Sequence, residues 1–271
     1  MGWIAPQLTG GLGNRLFQFS AAKGLAEKWG YTTQFIISKC MPTDHGPFDT
    51  IFKLFPTVPV FKEGDICEVL SEPYLGYYKY YSFPLVPSHT GNYSVSGYRQ
   101  TEKYFPTTGI QPDFENALGP ETVAALKRKI TNPSKTWFIH IRLGDYKILP
   151  HHQVNLKSYY TKCIQEVPKD SLLILFSDEI HLCKEMIQTL ATDNGLQFVV
   201  CESSDELSSL YLMSCCKGGA ITANSTFSWW GAYLAHQNAP ASFRAFYPSS
   251  WGQHMPQPVD ITPSWGTMVS I

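Results

Sequence analysis

Residues 137–146 read Trp-Phe-Ile-His-Ile-Arg-Leu-Gly-Asp-Tyr, and this stretch decides the fold class. Apart from His140, its first five residues are aromatic or β-branched, a composition typical of a buried strand. The strand pattern stops at Arg142, Gly144 and Asp145. Open α/β sheets bind their ligands beyond the carboxyl ends of the strands, so an arginine at this point predicts a ligand site.

Arg142 is the candidate phosphate ligand of this stretch. Arginine binds phosphate groups with two parallel hydrogen bonds, and its charge does not titrate in proteins. The alternative is an Arg142–Asp145 ion pair that only closes a turn, and the spacing alone does not separate the two interpretations.

Strand and helix patterns alternate through the second half of the chain. Predicted strands cover residues 137–141, 172–176, 197–201 and 219–222, and predicted helices cover 156–167, 180–192, 206–215 and 225–236. This order predicts a parallel, doubly wound sheet. Before it, Pro133 and its polar neighbours end a helical stretch over 121–130, so we predict domains at 1–132 and 133–271. The proline-rich tail after Trp251 is expected to follow the surface or to pack back on the first domain.

The bulk composition describes an ordinary globular protein. The chain has 271 residues, of which 44% are hydrophobic and 16% are charged, and a formal net charge of −1. This balance gives no basic field, which argues against nucleic acid or an anionic membrane as a partner. No apolar run is long enough to span a bilayer and no secretory leader pattern is present, so a cytoplasmic location is expected.

Seven cysteines, an odd number without a Cys-x-x-Cys pair, are typical of reduced and buried thiols. A redox pair at the vicinal Cys215 and Cys216 is the alternative.

A glycine-rich turn with Gly11, Gly13 and Asn14 precedes a helix that is predicted over residues 15–29. Glycines before a helix can expose backbone N–H groups to an anion or a sugar hydroxyl. The turn is not the dinucleotide-binding fingerprint, because Leu16 occupies the third glycine position, and it is not a P-loop. A purely structural tight turn is the alternative.

Polar residues follow each of the four predicted strands. They are Arg142, Gly144 and Asp145; Ser177 and Asp178; Glu202, Ser203 and Ser204; and Asn224, Ser225 and Thr226. Because the carboxyl ends of parallel strands meet at one edge of a sheet, we expect these side chains to converge. Helix capping explains Ser204 and Asn224, but it does not explain Arg142 or the Ser177-Asp178 pair.

A nucleoside diphosphate suits this set of residues. Arg142 and the N–H groups near Ser225 and Thr226 would bind its phosphates, and Asp178 would accept hydrogen bonds from a guanine or a ribose. His140 would contact the base or be a structural histidine. The chain has no Asp-x-Asp, no HExxH and no Cys/His cluster, so no metal site is predicted and protein donors alone would stabilise the leaving group.

Four segments together resemble a known family: residues 10–19, 140–146, 176–179 and 224–233. They are similar, in family order, to segments of the inverting α-1,2-fucosyltransferases of glycosyltransferase family eleven. The resemblance implies an α/β, GT-B-like fold of two Rossmann-like domains. Residues 1–132 would form the acceptor-side domain and 133–271 the GDP-fucose-binding domain, with no metal or other cofactor.

The implied activity is transfer of L-fucose from GDP-β-L-fucose to a glycan, with inversion and an α-1,2 linkage. The implied acceptor is the 2-hydroxyl of a terminal β-galactoside. Arg142 and Asp145 are the predicted catalytic residues, and no base is identified. The predicted donor-binding residues are His140, Arg142, Ser177, Asp178, Asn224, Ser225 and Thr226. The predicted glycine-rich or acceptor loop contains Gly11, Gly13, Asn14 and Arg15.

Two positions depart from the family pattern. Leu143 replaces a second arginine, so one phosphate contact is absent, and Arg15 replaces a glutamine that could contact the acceptor. Two alternatives therefore stay open: a transferase that uses another nucleotide sugar, and a homologue that binds a glycan or nucleotide without transfer.

Overall fold

The structure, a computed structural model, describes residues 2–42, 46–73, 78–84, 90–203, 205–239, 241–253, 255 and 258–271. The chain divides into two compact units, Met1–Ala117 with Pro258–Ile261, and Leu118–Gln257 with Thr262–Ile271. Ser204, one of the predicted strand-end residues, lies outside the described part of the chain.

The first unit is built on a four-stranded parallel sheet. The strands of the unit are β1 (Trp3–Pro6), β2 (Thr32–Thr33), β3 (Phe35–Ile36), β4 (Val60–Phe61), β5 (Glu68–Leu70) and β6 (Tyr93–Val95). The helices of the unit are α1 (Leu12–Trp29), α2 (Thr50–Leu54) and, where the unit ends, α3 (Phe114–Leu118). The sheet order is β2-β1-β6-β5, and β3 and β4 form a separate parallel pair.

Helix α1 packs on this sheet and begins three residues earlier than predicted. Gly11 is its N-cap, so Gly13 and Asn14 lie in its first turn. Gly24 also lets the 3-10 turn Glu102–Tyr104 approach this helix closely, because a Cβ at Gly24 would lie 2.0 Å from the carbonyl oxygen of Tyr104. The helix ends, as predicted, where Gly30 adopts a left-handed conformation with φ of 69°.

The second unit is a six-stranded parallel sheet with helices. Its elements are α4 (Pro120–Arg128), β7 (Thr136–Ile141), α5 (Lys157–Gln165), β8 (Leu172–Ser177), α6 (Ile180–Asp193), β9 (Gln197–Val200), α7 (Glu206–Cys215), β10 (Gly219–Ile221), α8 (Thr226–Gln237), β11 (Arg244–Pro248) and β12 (Thr267–Val269). The predicted alternation from residue 137 to 236 is confirmed. The sequence patterns did not indicate β11 or β12.

The strand order in this unit is β9-β8-β7-β10-β11-β12, and all pairs are parallel. The chain therefore builds the sheet outward on one side of β7, and then returns to build on the other side from β10. All six residues of β7 are buried, with Trp137, Ile139 and Ile141 in the core cluster that also contains residues of α5 and α6.

The predicted boundary at 132/133 and the observed division differ at α4. This helix lies before the predicted boundary, but it packs against α7 and so belongs to the second unit. The acceptor-side and donor-side roles of the two units stay predictions.

All seven cysteines are free thiols. Cys163, Cys183, Cys201 and Cys216 are buried, whereas Cys67 is exposed. Among the described residues, no helix combines the length and the apolar character that a bilayer span requires.

Candidate functional site

In the second unit, the residues that follow β7 and β10 lie at the carboxyl edge of the sheet. These two strands are neighbours, and the direction in which the sheet is built reverses between them. Open α/β sheets bind ligands at such a switch point. Arg142 follows β7 and Asn224 lies close after β10, so both reach the position that this fold uses for ligands.

The Arg142 guanidinium is bound by two carboxylates. Its Nε and Nη2 donate to Oδ1 of Asp145 at 3.0 and 2.7 Å, and its Nη1 lies 3.0 Å from Oδ2 of Asp178. The Arg142–Asp145 ion pair that the sequence offered as an alternative is thus present. A second carboxylate, from the end of β8, joins it.

Asp178 ties the segment after β7 to the end of β8. Its Oδ1 accepts a hydrogen bond from the backbone N–H of Leu143 at 2.9 Å, while its Oδ2 faces Arg142. A Cβ at Gly144 would lie 2.5 Å from that Oδ2, so a larger residue would displace the carboxylate. The Leu143 side chain is partly buried against the core, so it cannot make the phosphate contact of the arginine that the family pattern has here.

One guanidinium and two carboxylates give this cluster a net negative charge. The side chains of Arg142, Asp145 and Asp178 are between about a quarter and a third exposed, so water partly screens their interactions. Three of the five N–H donors of Arg142 face these carboxylates, which leaves one N–H on each Nη for a phosphate.

Tyr146 is a site residue that the sequence analysis did not single out. Its hydroxyl donates to the backbone carbonyl of Asn224 at 3.0 Å, and its ring stacks on His152 with 4.6 Å between centroids. The Arg142 guanidinium carbon lies 5.7 Å from the centre of the same ring. Burial raises the pKa of Tyr146 above its usual value, so the phenol stays protonated. Its position one residue after Asp145 was the available signal.

The residues after β10 serve mainly to begin α8. Ser225, not Asn224 as predicted, is the N-cap, and its Oγ accepts from the N–H of Phe227 at 3.4 Å. The Asn224 amide nitrogen donates to the carbonyl oxygens of His152 and Trp251 at 3.0 and 3.1 Å. Asn224 thus holds two loops together, and Thr226 opens the helix.

His140 is a buried, neutral histidine. Burial, with a smaller contribution from Arg142, lowers its pKa to about 3, against the weaker opposing effect of Asp178. Its ring centre is 5.9 Å from that of Phe227, and its Nδ1 has no hydrogen-bond partner in the part of the chain that the structure describes. The ring is therefore uncharged near neutral pH and carries one N–H.

The remaining strand-end residues have local roles. Ser177 Oγ accepts from the backbone N–H of Glu179 at 3.1 Å, just before α6 begins. Asp205, not Ser204, is the N-cap of α7, where it accepts from two backbone N–H groups. Glu202 and Ser203 follow β9, which is the edge strand two positions from β7, so they lie away from the switch point.

In the first unit, the glycine-rich turn leads directly into α1. Gly10 has φ of 73°, and a Cβ there would lie 2.6 Å from Nδ2 of Asn14, so a glycine is required on both counts. The turn is held by Gln18, whose Oε1 accepts from the N–H of Thr9 at 2.9 Å. The N-cap Gly11 offers no side-chain cap to the first turn.

Arg15 is completely buried in the first unit. Its guanidinium donates to the carbonyl oxygens of Pro47 and Gly46, at 2.5 and 3.1 Å. The Arg15 side chain therefore fixes the backbone at 46–47 and, being buried, does not itself present a surface to an acceptor.

Within the described ranges, no three or more His, Cys, Asp or Glu side chains converge as metal ligands would. His151 and His152 lie with ring centres 4.3 Å apart, and His152 stacks on Tyr146.

Comparisons with known proteins identify a glycosyltransferase family and two similar proteins. The model of the family described as glycosyl transferase family 11 matches residues 70–241, more than half of the chain. The alpha-1,2-colitosyltransferase of Escherichia coli is 26% identical over 267 residues, which cover 86% of this chain and 88% of that protein. The O-antigen biosynthesis glycosyltransferase WbnK of Escherichia coli is 38% identical over 117 residues. That match covers 40% of this chain and only 37% of WbnK.

Two solved structures share the fold. The fucosyltransferase NodZ from Bradyrhizobium superposes with a TM-score of 0.50 at 13% identity, over 86% of this chain and 91% of NodZ. POFUT1 in complex with GDP-fucose also gives 0.50, at 11% identity, over 90% of this chain and 97% of POFUT1. At these identities the likeness shows the fold alone. The predicted α/β, GT-B-like fold class is confirmed.

Proposed function

The chain belongs to glycosyl transferase family 11, and on this premise we propose that it transfers L-fucose from GDP-β-L-fucose to a glycan hydroxyl. The observation that carries the proposal is the position of Arg142 at the switch point of a parallel sheet, where it is held but partly exposed. In support, POFUT1, which shares the fold, is described as a complex with GDP-fucose.

The proposed reaction is a single displacement. The acceptor oxygen forms a bond to the anomeric carbon while the bond from that carbon to the β-phosphate oxygen breaks, and the acceptor hydroxyl loses its proton. The β-linked donor gives an α-linked product. GDP leaves with added negative charge, and Arg142 stabilises that charge by donating hydrogen bonds to a phosphate oxygen. The N-terminus of α8 would add a favourable partial charge.

Asp145 has a positioning role in this proposal. Its Oδ1 receives both Nε and Nη2 of Arg142, which sets the direction of the guanidinium. The proton acceptor for the attacking hydroxyl is not assigned. We further propose that protein donors alone meet the charge of the diphosphate, without a divalent ion.

The finer features of the proposal are an α-1,2 linkage and a terminal β-galactoside acceptor. They follow from the resemblance of the sequence motifs, and the name of the alpha-1,2-colitosyltransferase, similar over 86% of this chain, supports the linkage.

A second candidate keeps the reaction and changes the donor sugar. The likeness to the alpha-1,2-colitosyltransferase favours a nucleotide-activated colitose. Colitose lacks one hydroxyl group that fucose has, so the two donors present different hydrogen-bonding groups to the site.

The test is a donor comparison with a defined acceptor. The protein is incubated with lactose and, in turn, with GDP-fucose, GDP-colitose and UDP-galactose, and nucleotide release is followed. Linkage and anomeric configuration of the product are then read by NMR. We expect turnover with GDP-fucose and an α-1,2 product. Turnover with GDP-colitose but not with GDP-fucose would establish the second candidate, and no turnover with any donor while GDP binds would indicate a homologue that does not transfer.

A further inference from the structure

A turn in the first unit has an unusual backbone. Between β6 and the short 3-10 turn Glu102–Tyr104, Gly97 has φ of 97° and Arg99 has φ of 53°. A positive φ at a residue with a side chain costs of order 1–3 kcal/mol, and it persists only where the surroundings fix it. Such residues concentrate at functional sites, which makes this turn a place to look for one.

The surroundings of Arg99 do fix it. The two carboxylate oxygens of Glu72 accept from the backbone N–H groups of Tyr98 and Arg99, at 2.8 and 3.0 Å. The Arg99 side chain is 2% exposed and donates to the carbonyl oxygens of Leu70 and Ser96, at 2.8 and 3.0 Å. The next residue in the chain, Gln100, is therefore presented in one defined direction.

Gln100 faces the glycine-rich turn. Its Nε2 donates to Oδ1 of Asn14 at 2.9 Å. With Oδ1 engaged in this way, Nδ2 of Asn14 is turned toward Gly10, where an added Cβ would lie only 2.6 Å from it. The strained turn thus sets the orientation of an amide that lies in the first turn of α1.

Stability does not account for this amide pair. Gln100 is 6% exposed, and its Oε1 is buried without a hydrogen-bond partner among the described residues. Leaving a buried acceptor unpaired costs about as much as the Gln100–Asn14 hydrogen bond contributes. An apolar residue of similar length would avoid the unpaired oxygen, but it could not fix the direction of the Asn14 amide.

We propose that Gln100 is a positioning residue that orients the Asn14 amide to donate a hydrogen bond to a sugar hydroxyl. The inference rests on the proposed function. The hydroxyl has two sources, the acceptor glycan and the transferred sugar, and both present the same chemistry to Asn14.

A double-mutant cycle tests the role. The variants are Gln100→Met, Asn14→Ala and their combination, with Ser96→Ala as the matched control. Ser96 lies on the same turn, and its Oγ contacts only Ser71 Oγ, at 3.2 Å, among the side-chain hydrogen bonds described. Each variant is assayed with GDP-fucose plus lactose for transfer, and with GDP-fucose alone for slow hydrolysis. Thermal unfolding is measured on the same samples.

The expected result for Gln100→Met is a loss of about fivefold to tenfold in kcat/KM, the equivalent of one hydrogen bond. Its melting temperature should lie within about 3 °C of the wild-type value. The combined variant should be no slower than Asn14→Ala alone, and Ser96→Ala should match the wild type. Coupling in transfer only assigns the hydroxyl to the acceptor, and coupling in both reactions assigns it to the donor sugar.

Three outcomes overturn the inference. Independent, multiplicative effects of the two substitutions would show that Gln100 does not act through Asn14. A rate loss that follows a large fall in melting temperature would show a structural role. A wild-type protein that neither hydrolyses GDP-fucose nor transfers fucose would overturn the proposed function, and the positioning role with it. This outcome is distinguishable from the other two, because in those the wild-type protein is active.

Discussion

Replacing Arg142 with alanine should separate a catalytic arginine from a structural ion pair. The change removes the two hydrogen bonds to Asp145 and the ion pair with Asp178. If this guanidinium stabilises departing GDP, its loss should lower kcat by about 100-fold to 1000-fold, as removal of a preorganised donor does in other enzymes. A loss of 100-fold corresponds to about 2.7 kcal/mol in the activation free energy.

The effect on folding should be smaller than the effect on rate. Arg142 is 30% exposed and each carboxylate is 24% exposed, so each ion pair contributes no more than about 1 kcal/mol. Loss of both pairs, at most about 2 kcal/mol, should lower the melting temperature by no more than about 8 °C. Arg142→Ala should therefore stay folded at 25 °C while it loses nearly all turnover.

Arg244 provides the matched control. It forms an ion pair with Glu166 at 3.0 Å, it is 46% exposed, and it lies over the ring of Phe246 with 5.1 Å to the centroid. It stands at the amino end of β11, the opposite edge of the sheet from the candidate site. Arg244→Ala should cost a similar amount of stability and leave turnover unchanged.

The measurement is GDP release from GDP-fucose with lactose, at saturating substrate, beside thermal unfolding of the three proteins. Turnover of Arg142→Ala within threefold of the wild type, with folding intact, would refute the reasoning. An equal loss of turnover in Arg244→Ala would refute it as well, because the loss would then follow stability rather than the site.

Three further predictions concern the same site. The pKa of His140 is lowered from its usual 6.5 to about 3 in the folded protein. Between pH 3 and pH 6.5 the unfolded chain therefore binds a proton at this residue that the folded chain does not bind. The free energy of unfolding should fall as the pH decreases from about 6.5, by at most about 1.4 kcal/mol per pH unit from this group. His140→Phe should flatten that fall in urea titrations, and parallel curves would contradict the assignment. Transfer should be unchanged after treatment with EDTA; activity that EDTA abolishes and a divalent ion restores would show that a metal is needed. Tyr146→Phe should lower kcat/KM about fivefold, because the ring contacts with Arg142 and His152 remain while the hydrogen bonds of the hydroxyl to the Asn224 carbonyl and the Ser225 side chain are lost. An unchanged rate would show that the Tyr146 hydroxyl does not support the site.

Residues 137–236 show how much of the fold local sequence patterns can predict. Hydrophobic periodicity reports burial along one strand or helix, and it predicted eight elements whose bounds the structure reproduces to within about two residues. The strands Arg244–Pro248 and Thr267–Val269 were not predicted. Arg244 and Pro248 leave only three apolar residues between them, and the second strand is mostly exposed, so neither carries the apolar run of a buried strand. The start of α1 was placed three residues late because glycines were assigned to the turn alone.

Some features of the candidate site also follow from local sequence, and others depend on the tertiary structure. That Arg142 ends a buried strand and that Asp145 lies three residues later are local facts, so the sequence alone determined them. The second carboxylate on Arg142 comes from Asp178, which only the β7–β8 register brings within 3.0 Å.

The contacts of Tyr146 with Asn224 and of Gln100 with Asn14 were decided by the tertiary structure. The first depends on β10 lying beside β7, and the second joins residues 86 positions apart. Local patterns specify which residues are buried and which end a strand, because those properties depend on near neighbours. Hydrogen-bond partners depend on strand order and register, and these are set by the packing of the whole unit.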